Sequence, residues 1–206
     1  MVCRLYEDKN EGRKAVKVTG KNERRITMNL KENFKGHLNT INSHKKEVMR
    51  LCFKVGLYKQ GLLHDLSKYS PKEFLSGVVY YCGDKSPNTA ERLLTGKSEA
   101  WLHHKGRNKH HFEYWIDYGL TPGGKMEGIE MPVRYVVEMF CDRVAACKVY
   151  YKEKYTEKSP LEYFRKNKSH YMMHPNTMRL LEKMLVMLRK YGEEDTLIYI
   201  KNRILK

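Results

Sequence analysis

A chain of 206 residues, 41% apolar and 31% charged, is long enough to bury a real core and too apolar to stay disordered. Its 40 lysines and arginines against 24 acidic residues give a formal charge of +16, which draws nucleotides, nucleic acid or acidic partners to the surface but says nothing about fold. No run of 18 apolar residues is present, and the opening MVCRLYEDKN is charged where a secretory signal is apolar, so we expect a cytoplasmic protein that does not cross a membrane.

Residues 1–28 are polar and basic, without sustained helical periodicity; a hairpin around Lys9–Gly12 and a flexible arm are both compatible with them. Residues 29–206 read as one helical domain. In His37–Val55 the apolar positions Leu38, Ile41, Val48, Leu51, Cys52 and Val55 share a helix face, and Gly56 ends the helix. A short helix follows over Tyr58–Leu66. Ser70-Pro71 with Glu73 is a helix-start signal, residues 82–89 read as a loop, and a helix is expected from about Thr89 through Leu102. Thr121-Pro122-Gly123-Gly124 marks a long loop. Met131-Pro132 opens a helix over about 132–151 with Val133, Val136, Val137, Phe140, Val144 and Cys147 on its apolar side. Two more helices are expected, one after His174-Pro175-Asn176 and one over about Glu193–Leu205. The fold class that follows is all-α, with no strand-rich region beyond the first 28 residues. Five cysteines without a CxxC pair do not make a disulfide framework, and Cys52 and Cys141 sit in apolar runs as core thiols.

The chemistry-bearing string is GLLHDLSKYS, in which an apolar helix ends in His64-Asp65. Neutral imidazole and ionised carboxylate are first-row donors for a divalent transition metal, and rigid elements must hold them. His44 lies 20 residues upstream on the preceding helix. Asp142 lies within EMFCDRVAA, where a buried carboxylate is costly unless it is bound to a metal or paired, with Arg143 or Arg134 as the nearest partners in sequence. WLHHKGRNKHHFEYW then packs His103, His104, His110 and His111 into nine residues, and Gly106 and Asn108 suggest a turn between two helix ends. Lys68, Arg107 and Asn108 are the candidate anion contacts. Glu73 is either a first-turn glutamate or a proton shuttle. His37, seven residues before His44, borders the site or is a half-buried histidine with a backbone partner. His174 ends a loop, and Trp101 and Trp115 pack the walls of the histidine cluster.

The series His44 … His64-Asp65 … Asp142 resembles the ligand series of the HD superfamily of metal-dependent phosphohydrolases over roughly residues 37–151, with Lys68 at the place of a phosphate-contacting lysine in one phosphodiesterase branch. The GYP triplet of that branch is absent. The run from His44 to Phe74, together with AWLHHKGRNKHHFEYW, is similar to an uncharacterised family of bacterial and phage proteins. The resemblance implies an HD-like bundle with His44, His64, Asp65 and Asp142 on one ion. Because several HD enzymes add two histidines before the last aspartate, it also implies His104 and His111 on a second, with His103 and His110 orienting neighbours or contacting substrate. The expected cofactor is one or two ions of Mn, Fe, Co or Ni per chain, and the expected reaction is hydrolysis of a nucleotide or cyclic nucleotide phosphate. A nuclease on DNA or RNA, a di-iron oxygenase and a nucleotide-sequestering binder are the alternatives.

Overall fold

The computed structural model describes residues 30–83, 85–120 and 123–206 in full, and the backbone of 2–7, 14–19 and 25–27. The elements in chain order are β1 (Val2–Glu7), β2 (Lys14–Thr19), β3 (Arg25–Thr27), α1 (Leu30–Lys54), α2 (Tyr58–Leu63), α3 (Pro71–Val79), α4 (Pro87–Thr95), α5 (Glu99–Lys105), β4 (Ile116–Tyr118), β5 (Met126–Gly128), α6 (Val133–Tyr151), α7 (Ser159–Asn167) and α8 (Pro175–Tyr199), joined by short 3₁₀ turns. The fold class is all-α. The chain divides into two compact units, one of Met1–Ile41 with Ser67–His104 and one of Asn42–Leu66 with Lys105–Lys206.

In the first unit β1, β2 and β3 form an antiparallel sheet in that order, with Val2 opposite Thr19 and Glu7 opposite Lys14. The Lys9–Gly12 turn read from the sequence lies outside the described residues. Pro71 starts α3 as its first residue after Ser70. The single helix expected from Thr89 to Leu102 is instead two, α4 and α5. Gly96 takes a left-handed φ of 79° and returns its amide to Arg92 O, which closes α4, and Ser98 Oγ accepts the Trp101 amide at 3.0 Å to start α5. Ser98 in turn donates to the buried carboxylate of Glu91.

The second unit packs the end of α1 with α6, α7 and α8. Val48, Leu51, Cys52 and Val55 of α1, Val136, Val137, Phe140, Cys141 and Val144 of α6, Leu161 and Phe164 of α7, and Leu181, Met184, Leu185 and Leu188 of α8 form its core. Each such side chain contributes about 1.5–3 kcal/mol of hydrophobic stabilisation. Gly61 brings α2 against α1: a methyl group there would meet Cys52 Cβ at 3.0 Å and the Phe53 ring at 3.1 Å. Cys52, Cys141 and Cys147 are buried free thiols, as their apolar neighbours required. A two-stranded ladder of β4 and β5 replaces the strand-free loop expected around Gly123-Gly124. Three residues per strand are too few to leave an alternating pattern in sequence. Helix α7 is also absent from the sequence reading, although the Ser-Pro-x-Glu signal that opens α3 recurs at 159–162. In α8 the helical dihedrals break at Gly192 (φ 78°), between the two C-terminal helices that the sequence indicated. Among the described residues, no helix is long and apolar enough to cross a membrane.

Candidate metal centre

Three segments of the second unit converge on one buried cluster. Helix α1 brings His44, the turn after α2 brings His64 and Asp65, and α6 brings Asp142. His44 Nε2 lies 3.0 Å from Asp142 Oδ1 and 3.7 Å from Asp65 Oδ2. His64 Nε2 lies 3.3 Å from Asp65 Oδ2 and 3.6 Å from Asp142 Oδ1. Two donors each about 2.1 Å from one ion stand about 3.0 Å apart at a right angle and about 3.4 Å apart at the tetrahedral angle. The four donor atoms therefore have the spacing of a coordination shell. His64 Nε2 is buried and makes no hydrogen bond among the described residues despite the two nearby carboxylates. An imidazole nitrogen that faces carboxylate oxygens without hydrogen-bond geometry is what a ligand atom looks like. The donor set fits a divalent transition metal.

Asp65 takes a left-handed φ of 52°, a conformation rare outside glycine and tolerated best by Asp and Asn. The strained turn points the two oxygens of one carboxylate in different directions: Oδ2 toward His44 and His64, and Oδ1 toward His110 Nε2 at 3.4 Å. Donor atoms of Asp65, His110 and His111 also lie within 4.8 Å of one another. The His110 ring stacks 4.3 Å from that of His64 and 4.1 Å from that of His111.

The sequence reading passed over Glu138. It stands four residues before Asp142 on α6, is buried, and places Oε1 3.0 Å from His64 Nδ1 and 3.2 Å from His110 Nδ1. A carboxylate there keeps the Nδ1 protons in place and leaves the Nε2 lone pairs for a cation. Its signal was legible: two carboxylates at i and i+4 in an otherwise apolar helix face the same way.

The electrostatics follow from this packing. Burial disfavours charge on His64, but Asp65, Asp142 and Glu138 outweigh it and hold the imidazole pKa well above its usual value. Burial also pushes Asp142 and Glu138 up, and the imidazoles around each outweigh it. His44 and His64 hold Asp142 well below the ordinary carboxylate range, and His110 and His64 lower Glu138. Three carboxylates and three imidazoles share this interior, and the cluster calls for positive charge, from protons or from a metal.

The remaining residues singled out by sequence are distributed as follows. In the first unit, Glu73 is buried and accepts from His103 Nδ1 at 2.6 Å and His104 Nδ1 at 2.8 Å, with Ser67 Oγ 3.2 Å from the same His104 nitrogen. Burial raises Glu73, but the two histidines and Ser67 bring its pKa below the usual value. It is therefore more than a first-turn helix glutamate. Lys68 is half-buried in that unit. His37 is buried against Phe74 and Tyr81, and its Nδ1 makes no hydrogen bond among the described residues, where a backbone partner was expected. Burial and the charge of Lys68 lower its pKa to about 4. In the second unit, Arg107 is exposed and Asn108 half-buried. Arg143, offered by sequence as a partner for Asp142, lies over the rings of Tyr171 and Phe164. Trp115 packs beside Tyr135 and donates to Lys109 O, and Trp101 lies against His104. His174 caps α8 by accepting the Asn176 amide.

No curated protein and no solved structure is detectably similar to the chain. A family model matches residues 33–187, a span that contains every residue of the buried cluster. The chain belongs to the family of unknown function DUF5662.

Proposed function

We propose that the chain is an HD-type metal-dependent phosphohydrolase that cleaves a phosphomonoester or phosphodiester of a nucleotide or cyclic nucleotide. The observation that supports this reading is the convergence of His44, His64, Asp65 and Asp142, donor atoms within 4.8 Å of one another, in the sequence order of the HD ligand series. A divalent ion of Mn, Fe, Co or Ni bound there supplies a Lewis acid for a phosphoryl oxygen and a water acidified toward neutral pH. His44 and His64 offer Nε2, Asp65 and Asp142 offer carboxylate oxygens, and Glu138 holds the His64 ring in the orientation that makes this possible. A second ion is proposed on the other oxygen of Asp65 with His110 and His111. The further expectation that His104 is a ligand rests on sequence order, and His104→Ala should then lower the stoichiometry from two ions toward one. Lys68 and Arg107 are assigned to the substrate phosphate, as a point charge and a planar fork.

The test is metal analysis of the purified protein followed by a screen of nucleotides and cyclic nucleotides. Lys68→Ala and Arg107→Ala should each slow turnover by roughly 10²–10³-fold, the loss of one transition-state contact, with metal content unchanged. The +16 charge favours a nuclease as the second reading. In that case binding should weaken steeply with salt, because many backbone phosphates release counterions, whereas a mononucleotide should respond modestly. Oxygen consumption coupled to turnover would overturn hydrolysis in favour of an oxygenase.

A further inference from the structure

Helix α2 has only six residues and ends at Leu63, so its last carbonyls have no partner within the helix. The usual remedy, a glycine in the left-handed conformation that folds the chain back on those carbonyls, is not used. The left-handed residue is Asp65, itself a proposed ligand, and His64 before it is extended (φ −51°, ψ 127°). Such a turn needs an external donor. Lys45, on α1 directly after His44, provides it: Nζ donates to Leu62 O at 2.8 Å and to His64 O at 2.9 Å. One ammonium bridges the last turn of the helix and the peptide between the two ligands, and so fixes the direction in which His64 and Asp65 leave the chain.

We infer that Lys45 is a positioning residue of the metal centre, holding the His64-Asp65 turn in its ligating geometry by clamping the carbonyls of Leu62 and His64. This rests on the metal reading of the site. Consecutive residues of one helix then act on the same ion by two routes, His44 as a donor and Lys45 through the backbone of the next two donors. An ammonium suits the role because it carries three donors on a single atom and accepts none. A neutral residue of similar volume leaves the two carbonyls without their donor and lets the left-handed Asp65, which costs about 1–2 kcal/mol, relax.

The experiment is Co²⁺ titration of metal-free wild-type, Lys45→Met, Lys45→Gln and Lys45→Arg proteins, with the visible d–d spectrum and far-UV circular dichroism recorded for each. We expect Lys45→Met and Lys45→Gln to bind Co²⁺ roughly 10–100-fold more weakly, the range for residues that support ligands. Their spectra should be altered in position or intensity and their helical signal kept, and Lys45→Arg, whose fork can reach two carbonyls, should restore most of the affinity. Wild-type affinity and spectrum in Lys45→Met would overturn the inference while leaving the metal reading intact. Loss of helical signal in both Lys45→Met and Lys45→Gln would overturn it too, by making the lysine a folding residue. No Co²⁺ uptake by the wild-type protein would end the metal reading, and this inference with it.

Discussion

Helices α1 and α6 carry two charged clusters, and the contrast between them separates structure from function. Further along α1 from His44, Arg50 donates to both oxygens of Glu47 (2.9 and 2.7 Å) and to Glu193 of α8 (2.7 Å), while Lys148 of α6 donates to Glu47 at 2.9 Å and also reaches Glu193. Two carboxylates meet two permanent cations, and the cluster neutralises itself. At the other cluster Asp65, Asp142 and Glu138 lie among the imidazoles of His44, His64 and His110, whose charge depends on protons. A closed network needs nothing from outside. An open one draws positive charge into a buried place, from protons or from a cation that its donors could hold.

Removing a ligand charge from the open cluster should have the largest effect. Asp65→Asn is the informative change, because Asn tolerates the left-handed backbone that Ala would strain. It should reduce bound metal to background, measured by elemental analysis, with the helical signal retained since the core does not involve Asp65. Retention of full metal content would show that the open cluster is not the site.

Next in size comes Glu138, which touches two of the imidazoles but belongs to neither proposed donor set. Glu138→Gln should weaken metal binding by roughly 10–100-fold, about 1.4–2.8 kcal/mol, because the amide no longer fixes both Nδ1 protons. Isothermal titration of metal-free protein reads this directly. An unchanged affinity would reduce Glu138 to a buried acid paired with histidines.

The two clusters were not equally legible in the sequence. His44, His64-Asp65 and Asp142 stand in apolar helical contexts where a polar residue demands a reason, and the helix periods of α1 and α6 were regular enough to place them. Glu138 has the same context but no motif, so only its spacing from Asp142 could have exposed it. Lys45 was not legible, since its partners are backbone carbonyls, which the amino-acid sequence does not distinguish. The histidine cluster was legible as chemistry but not in its carboxylate partners: Glu73 holds His103 and His104, and Glu138 holds His110. The break at Gly96 and the β4–β5 ladder were missed for a simpler reason. Both are short and are set by local backbone conformation and pairing rather than by a repeating apolar face.

The smallest expected effect is on the pH dependence of stability, whose alkaline limb belongs, among these carboxylates and imidazoles, to His64 of the open cluster. The folded-state pKa of His64 is raised, so the stability it gives the metal-free protein is complete below its unfolded value near 6.5 and is lost as pH rises through the folded value. For Glu47 the shift is downward, to about 2, caused first by the Arg50 hydrogen bond. Its contribution is complete above about 4.5 and is lost as pH falls toward 2. The stability of metal-free protein should therefore fall on raising pH above about 6.5, by up to about 1.4 kcal/mol per pH unit, and its Tm by roughly 2–4 °C for each 1 kcal/mol. Added Co²⁺ or Mn²⁺ should flatten this alkaline limb, because a bound cation stabilises the carboxylates in place of the lost proton. The acid limb also contains Asp142 and Glu138 of the open cluster, held low by their imidazoles, and His37, whose lowered pKa costs stability as pH falls from about 6.5 to 4, so Glu47 is isolated by substitution, below pH 4. There Glu47→Gln should remove part of the acid loss and leave the alkaline limb unchanged. If metal left the alkaline limb unchanged, or Glu47→Gln moved it, the division into a closed and an open cluster would fail.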